Sequence, residues 1–351
     1  MTTLPDLFKE NFPNAYYLDA QHLDGLPDFL RMIHWIDPDE TVLNLEKPGD
    51  GNMNFVLRVN TNRRSFILKQ ARPWVEKYPQ VSAPAERVVT EARFYELVSN
   101  HPELQQFLPT LLGYDAENLL LALEDLGPNA DFTALYRQAV VPDLEAVRSL
   151  IRFLSTLHST NFGLMKAAFP TNQALKKVNH EHIFDFPYRE ENGFNLDTVQ
   201  PGLQVLAELY KRDVGLKAHV HALGEMYLGT GTVLLHGDFY PGSWLHTKHG
   251  AKVIDPEFSY FGRPEYDVAV MTAHLKMARL DDNGIRTLLQ TYQRPAGFDS
   301  ALFAGFCGTE VLRRLIGLAQ LPVDLSLPEK ERLLAWGSTA ISRPETVSFL
   351  N

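Results

Sequence analysis

Among its 351 residues the chain has one cysteine, Cys307. A lone thiol forms no internal disulfide and has no second cysteine with which to build a thiolate metal site, so a reducing compartment is expected. No run of 18 apolar residues occurs, which argues against a membrane-spanning helix. Residues Met1 to Glu10 lack the basic-then-apolar pattern of a secretion signal, and a cytoplasmic location is expected. Basic residues are also in the minority. With 33 Lys and Arg against 43 Asp and Glu, the net charge of −10 has the wrong sign for gripping a phosphate backbone, so nucleic acid is not an expected partner. The remaining composition, 45% apolar with 22 Gly and 22 Pro, is that of an ordered globular protein, and the length suggests about two domains.

Along the chain, texture changes twice. Residues 1–40 mix Pro, aromatics and acids, with helical spacing from Leu23 to Ile36. Short β-prone runs follow at Thr41–Leu45, Phe55–Val59 and Ser65–Gln70, then a helix over Ala83–Asn100 with Pro84 in its first turn, then strands at Leu111–Tyr114 and Leu119–Leu123. After Gly127-Pro128 the apolar spacing becomes helical over Leu144–His158, Val199–Tyr227, Glu265–Ala278, Leu302–Leu318 and Glu329–Ile341. Three short strands interrupt it, at Val233–Leu235, Trp244–Thr247 and Lys252–Ile254. This pattern predicts an α+β protein of two packed lobes, a β-rich one over 1–127 and a mainly α one over 128–351, with the hinge at 125–128 and the default site in the cleft between them.

Chemistry concentrates where those interrupting strands end. His236-Gly237-Asp238 follows one strand, and seventeen residues later Asp255-Pro256-Glu257 follows another, so a hairpin can bring three carboxylates together. Crowded carboxylates repel one another and raise their pKa values, which implies a shared proton or a divalent cation. Oxygen ligands favour Mg²⁺, and Mg²⁺ on one or two carboxylates completes its shell with substrate phosphates, which turns the search to a nucleotide cradle in the first lobe. The first lobe has parts for a nucleotide cradle: the loop Gly49-Asp50-Gly51-Asn52 between two strands, Lys69 on the third strand, and Glu91 in the next helix for an ion pair. Taken singly, Lys69 and Glu91 read as solvated charges; their order makes them a candidate pair. Glu124-Asp125-Leu126, at the lobe boundary, reads either as a segment whose Glu124 and Leu126 backbone groups bond an adenine or as an ordinary acidic linker.

Together these segments, with Lys69-Gln70-Ala71, Glu124-Asp125-Leu126, Gly242-Ser243 and Asp255-Pro256-Glu257-Phe258, resemble the 5-methylthioribose kinase family, within the aminoglycoside phosphotransferase and choline kinase superfamily. Two features select that branch: Asp-Pro-Glu where protein kinases carry Asp-Phe-Gly, and the adjacent Arg313-Arg314 in a helix. The resemblance covers about residues 45–320 and implies a two-lobed, protein-kinase-like fold of the aminoglycoside phosphotransferase type. It further implies that Asp238 orients or deprotonates an attacking hydroxyl, that Asp255 and Glu257 hold Mg²⁺, and that Lys69, partnered by Glu91, contacts the ATP phosphates. Ser243 stands where many kinases use a metal-binding Asn, Asp267 supports the catalytic loop, and a homodimer is implied. The chain departs from the family at Phe239-Tyr240-Pro241 and Arg263-Pro264-Glu265-Tyr266, which leaves the acceptor open while the phosphoryl-transfer residues are intact.

The arginine pair speaks to the acceptor by charge. Guanidinium groups would repel choline or an aminoglycoside, so a neutral sugar or polyol is favoured. Consecutive helical residues diverge by about 100°, so one arginine is expected to act and the other to support it. The alternatives are a kinase for another small sugar, polyol or amino alcohol, and a nucleotide-binding pseudokinase. Histidines 180, 182, 219 and 221, and the aromatics Trp74, Trp244 and Tyr240, read as packing or surface residues, and Cys307 as a buried small apolar one.

Overall fold

The computed structural model describes residues 3–20, 24–49, 53–138, 140–347 and 349. Strand β2 (Phe55–Thr61) shows the two-residue period of a half-buried strand, with Phe55, Leu57 and Val59 pointing inward. It pairs antiparallel with β1 (Val42–Glu46) and β3 (Ser65–Gln70), and a five-stranded antiparallel sheet is completed in the order β1-β2-β3-β7-β6 by β6 (Leu111–Asp115) and β7 (Leu120–Glu124). A hairpin of β4 (Trp74–Val75) and β5 (Tyr78–Ser82) follows β3 and has no counterpart in the sequence reading.

Both faces of the sheet are covered from the N-terminal segment. Helix α2 (Leu26–Met32) lays Leu26, Phe29 and Leu30 on Phe55, Leu57, Val59, Phe66 and Leu68. Helix α1 (Leu4–Asn11) brings Phe8 to a cluster with Trp74, Leu119 and Leu121, which also takes Val88 and Ala92 of helix α3 (Arg87–Val98). The expected start of α3 at Ala83 is corrected to Arg87. Pro84 lies outside the helix, and its carbonyl accepts from the Arg87 side chain instead of opening the first turn. Helix α4 (Pro102–Gln105) leads from α3 towards β6.

Beyond Glu124 the chain is mainly helical. Helix α5 (Leu144–Ser159) is capped by Asp143, α6 (Met165–Ala168) and α7 (Gln173–His180) follow, and α7 widens into a π turn over Glu181–Asp185. The single helical run expected over Val199–Tyr227 is two helices, α8 (Leu203–Lys211) and α9 (Val214–Leu228). The Asp213 carboxylate accepts from the Leu216 amide at 2.9 Å and so starts a new helix, although the apolar spacing carries across the break.

Strand β8 (Val233–Leu235) pairs with β11 (Tyr260–Gly262), while β9 (Trp244–Thr247) and β10 (Gly250–Val253) form the expected hairpin. Helix α10 (Glu265–Met277) follows, then α11 (Asp282–Leu289), α12 (Ser300–Ile316) and α13 (Leu327–Ser342). Helices α10 and α12 are buried nearly all round, which explains their lack of a polar face. Gly308 of α12 meets Gly337 of α13 so closely that a Cβ at 308 would lie 2.3 Å from the Gly337 carbonyl oxygen. No helix among the described residues is long and apolar enough to cross a membrane.

The cap at Asp213 supports a direct expectation. Asp213→Ala should lower stability by about 1 kcal/mol, the usual cost of losing an N-cap acceptor, seen as a reduced urea midpoint at unchanged slope.

Candidate functional site

Asp238 sits on a turn braced from several directions. Strand β8 delivers His236 and Gly237 to the N-terminus of α10, where the Asp267 carboxylate accepts from their amides at 2.7 and 2.9 Å. Asp267 also lies 3.3 Å from His158 Nε2. Gly237 has φ +85°, and a Cβ there would lie 2.1 Å from the Phe258 carbonyl oxygen, so no other residue fits without moving the backbone. His236 Nε2 lies 3.0 Å from the Ile254 carbonyl oxygen, and Ser243 donates its hydroxyl to the Asp238 carbonyl at 2.9 Å. These bonds tie the turn to the start of α10, to the end of β10 and to the segment entering β9. Burial pushes the Asp238 carboxyl above the ordinary range, against the pull of Arg314 and Arg313.

The two arginines converge. Arg313 and Arg314 place Nη2 atoms 3.9 and 3.6 Å from Asp238 Oδ1, and their Nε atoms lie 2.5 and 2.9 Å from the two oxygens of Glu310. The 100° between consecutive helix positions is bridged by the long side chains, which reach Asp238 together, and one acid one turn back gathers both. Arg314 also lies over the Tyr240 ring, 4.9 Å from its centroid. Glu310 is 2% exposed; burial alone would raise its pKa, but Arg313, Arg314 and His274 hold it well below the ordinary range. Behind it, His274 Nε2 lies 2.9 Å from Glu310 Oε1, and His274 Nδ1 lies 2.6 Å from the Tyr136 hydroxyl.

A second cluster lies between the sheet and the residues after β10. Lys69 of β3 donates to Glu91 of α3 at 2.6 Å and to Asp255 at 2.7 Å. Burial alone would depress the ammonium pKa, but the Asp255 and Glu91 carboxylates outweigh it and raise it well above the usual lysine value. Asp255 adopts φ +63° and keeps its carboxylate 45% exposed, whereas Glu257 is buried. Glu257 Oε2 lies 3.1 Å from Arg87 Nε and accepts from Asn54 Nδ2 at 3.0 Å. Arg87 Nε also donates to Asn54 Oδ1, and its other nitrogens donate to the carbonyls of Met53, Arg72, Trp74 and Pro84. Burial lifts the Glu257 carboxyl to about 7 in spite of Arg87 and Lys69. The three carboxylates of Asp238, Asp255 and Glu257 thus have separate cationic partners. Among the described residues no three His, Cys, Asp or Glu side chains are grouped to hold a metal ion.

Of the other sequence candidates, Asp50, Gly51 and Asn52 lie outside the described residues, and a Cβ on Gly49 would meet nothing within 4 Å. Glu124 closes β7, its amide and carboxylate bonded to Thr110, and the Leu126 carbonyl accepts from the Asn129 side chain. Sequence reading missed Arg87, Asn54, Glu310 and His274. Glu310 carried a usable signal, an acid three and four residues before the arginine pair, which is ion-pair spacing on a helix. Arg87, Asn54 and His274 are linked to their partners only by the tertiary fold.

Residues 44–304 match the family described as "Phosphotransferase enzyme family". A methylthioribose kinase of Pectobacterium atrosepticum is 29% identical over 92% of each chain, and one of Bacillus velezensis is 24% identical over 89% of each. Among solved structures, the choline kinase of Streptococcus pneumoniae superposes with a TM-score of 0.51 at 14% identity, over 89% of this chain and 98% of that one. The ethanolamine kinase of Plasmodium vivax gives 0.53 at 11% identity, over 97% and 92%. At such identities the structures establish the fold: two-lobed, α+β and kinase-like.

His274 gives this site a pH signature. Burial lowers its pKa from 6.5 to about 4, so between those values the unfolded chain binds a proton that the folded chain does not. Stability from this group is present above pH 6.5 and is lost as pH falls towards 4, by on the order of 3 kcal/mol. Urea titrations across that window should show the loss, and His274→Gln should flatten it.

Proposed function

Because the chain belongs to the phosphotransferase enzyme family, we propose that it transfers the γ-phosphoryl group of ATP to a hydroxyl of a small sugar, the 1-hydroxyl of 5-methylthioribose. The observation that carries this reading is the pair of guanidinium groups beside the Asp238 carboxylate. Such a site suits a neutral polyhydroxylated acceptor, whose oxygens accept from Arg while one hydroxyl donates to Asp238, and repels a cationic amine. The relatives that cover nine-tenths of the chain carry the same substrate in their names.

In this reading Asp238 orients the acceptor hydroxyl and takes its proton as the new oxygen–phosphorus bond forms and the bridging bond to the β-phosphate breaks. Its raised pKa makes it a better proton acceptor than an ordinary carboxylate. Arg313 and Arg314 stabilise charge on the phosphoryl or sugar oxygens. Lys69, held by Glu91, contacts the ATP phosphates; Gly49, Asp50, Gly51 and Asn52 cover them, and backbone groups of Glu124 and Leu126 receive the adenine. Ser243 supports the nucleotide side of the site by fixing the carbonyl of Asp238.

Mg²⁺ fits the donor set. The Asp255 carboxylate is half-open beside Lys69, and a hard cation on one or two carboxylates takes its remaining ligands from substrate phosphates. Mg²⁺ held there by Asp255 and Glu257 would supply neutralisation of phosphate charge. The division of the chain at 127/128, a cytoplasmic location and a homodimer belong to the same proposal, supported by the end of the sheet at Glu124 and by the family resemblance.

A coupled assay of ATP consumption with Mg²⁺ tests the reading against 5-methylthioribose, ribose, other pentoses, choline and an aminoglycoside. Turnover should be selective for methylthioribose and stop on addition of EDTA. Asp238→Ala should cut it by about 10²- to 10⁴-fold while ATP still binds. Selective turnover of another acceptor would replace the substrate, and full activity of Asp238→Ala would remove the assigned role.

A further inference from the structure

Glu310 takes no part in the reaction set out above, yet both arginines are bonded to it. Its two carboxylate oxygens are divided, Oε2 to Arg313 Nε and Oε1 to Arg314 Nε. Fixing Nε fixes the plane of each guanidinium and directs the terminal nitrogens, because the group is rigid and planar. The Nη2 atoms then stand 3.9 and 3.6 Å from Asp238 Oδ1, outside the 2.7–2.9 Å typical of a closed guanidinium–carboxylate pair. Charge explains what holds them there. Two guanidinium groups facing Asp238 alone would be drawn onto it, whereas the anion of Glu310 offers each a buried partner on the opposite side.

The support behind Glu310 is directional. A carboxylate only accepts, so His274 presents Nε2–H to it; its Nδ1 is then the acceptor for the Tyr136 hydroxyl. The chain Tyr136 to His274 to Glu310 is buried throughout and runs from the segment before α5, through α10, to α12. It ends on the two side chains that flank the base.

We propose that Glu310 is a positioning residue that holds Arg313 and Arg314 back from Asp238, keeping that carboxylate open to the acceptor hydroxyl while the guanidinium groups stay within reach of acceptor and phosphoryl oxygens. The inference rests on the phosphotransfer roles given to Asp238 and the arginines. It requires coupling: Glu310 acts only through the two arginines.

Kinetics of the intact chain test it. Glu310→Gln should lower kcat by about 10²-fold, the loss typical of one misplaced charge-stabilising donor, with KM for ATP within about twofold of wild type. In a background of Arg313→Ala and Arg314→Ala the same substitution should add less than about threefold, since the groups it positions are gone. Glu310→Asp, which keeps the charge, should recover part of the loss and replaces Glu310→Gln in the cycle if the latter does not fold. The cycle is read on sugar phosphorylation and, in parallel, on acceptor-independent ATP hydrolysis, where water takes the place of the sugar. A wild type that hydrolyses ATP but phosphorylates no sugar defeats the acceptor assignment, yet the hydrolysis cycle still scores Glu310. Losses that multiply, or a Glu310→Gln rate within twofold of wild type, overturn the proposal.

Discussion

The contact on which the rest of the site depends is the Lys69 ammonium, closed between Glu91 and Asp255. A buried ammonium without a partner would lose its proton or force the structure open, so burial at this point demands acids from two directions. One comes from α3 and the other from the turn after β10. A single cation therefore brings the sheet, the helix behind it and the helical lobe to one point. Arg87, at the start of α3, repeats the device, with Asn54, Glu257 and four backbone carbonyls around one guanidinium.

Across the site every buried acid is answered by a base or by amides: Glu91 by Lys69, Glu257 by Arg87, Glu310 by two arginines, Asp267 by the amides of His236 and Gly237. Breaking one member of such a pair strands a charge in a low-dielectric interior, which costs far more than the pair contributes when whole. The arrangement is thus rigid for electrostatic reasons before packing is considered. Rigidity matters in phosphoryl transfer, where the protein's work is mostly alignment and charge placement.

Local pattern made much of this legible. β2 and β3 announce themselves by alternation, β8 by a short apolar run that ends at His236, and the charged residues at strand ends mark the chemistry. The break at Arg212–Asp213 was hidden because Val214, an exposed residue, continues the three- and four-residue apolar spacing across the cap. The β4–β5 hairpin escaped because a two-residue strand has no period. Within the site, Lys69, Asp238 and Asp255 stand in short motifs, whereas Arg87, Asn54 and His274 acquire meaning only from neighbours tens or hundreds of residues away. Composition and spacing carry no information about such pairs.

Helix α3 faces two ways. Val88 and Ala92 pack beneath the sheet, while Phe94, Tyr95, Leu97 and Val98 join the apolar core shared by the helices from α5 to α13. In topology it belongs to the first lobe; in packing it belongs equally to the second. The lobes are therefore one cooperative unit: a chain severed after residue 127 would leave half of α3 facing water, and neither fragment would melt as a domain of its own.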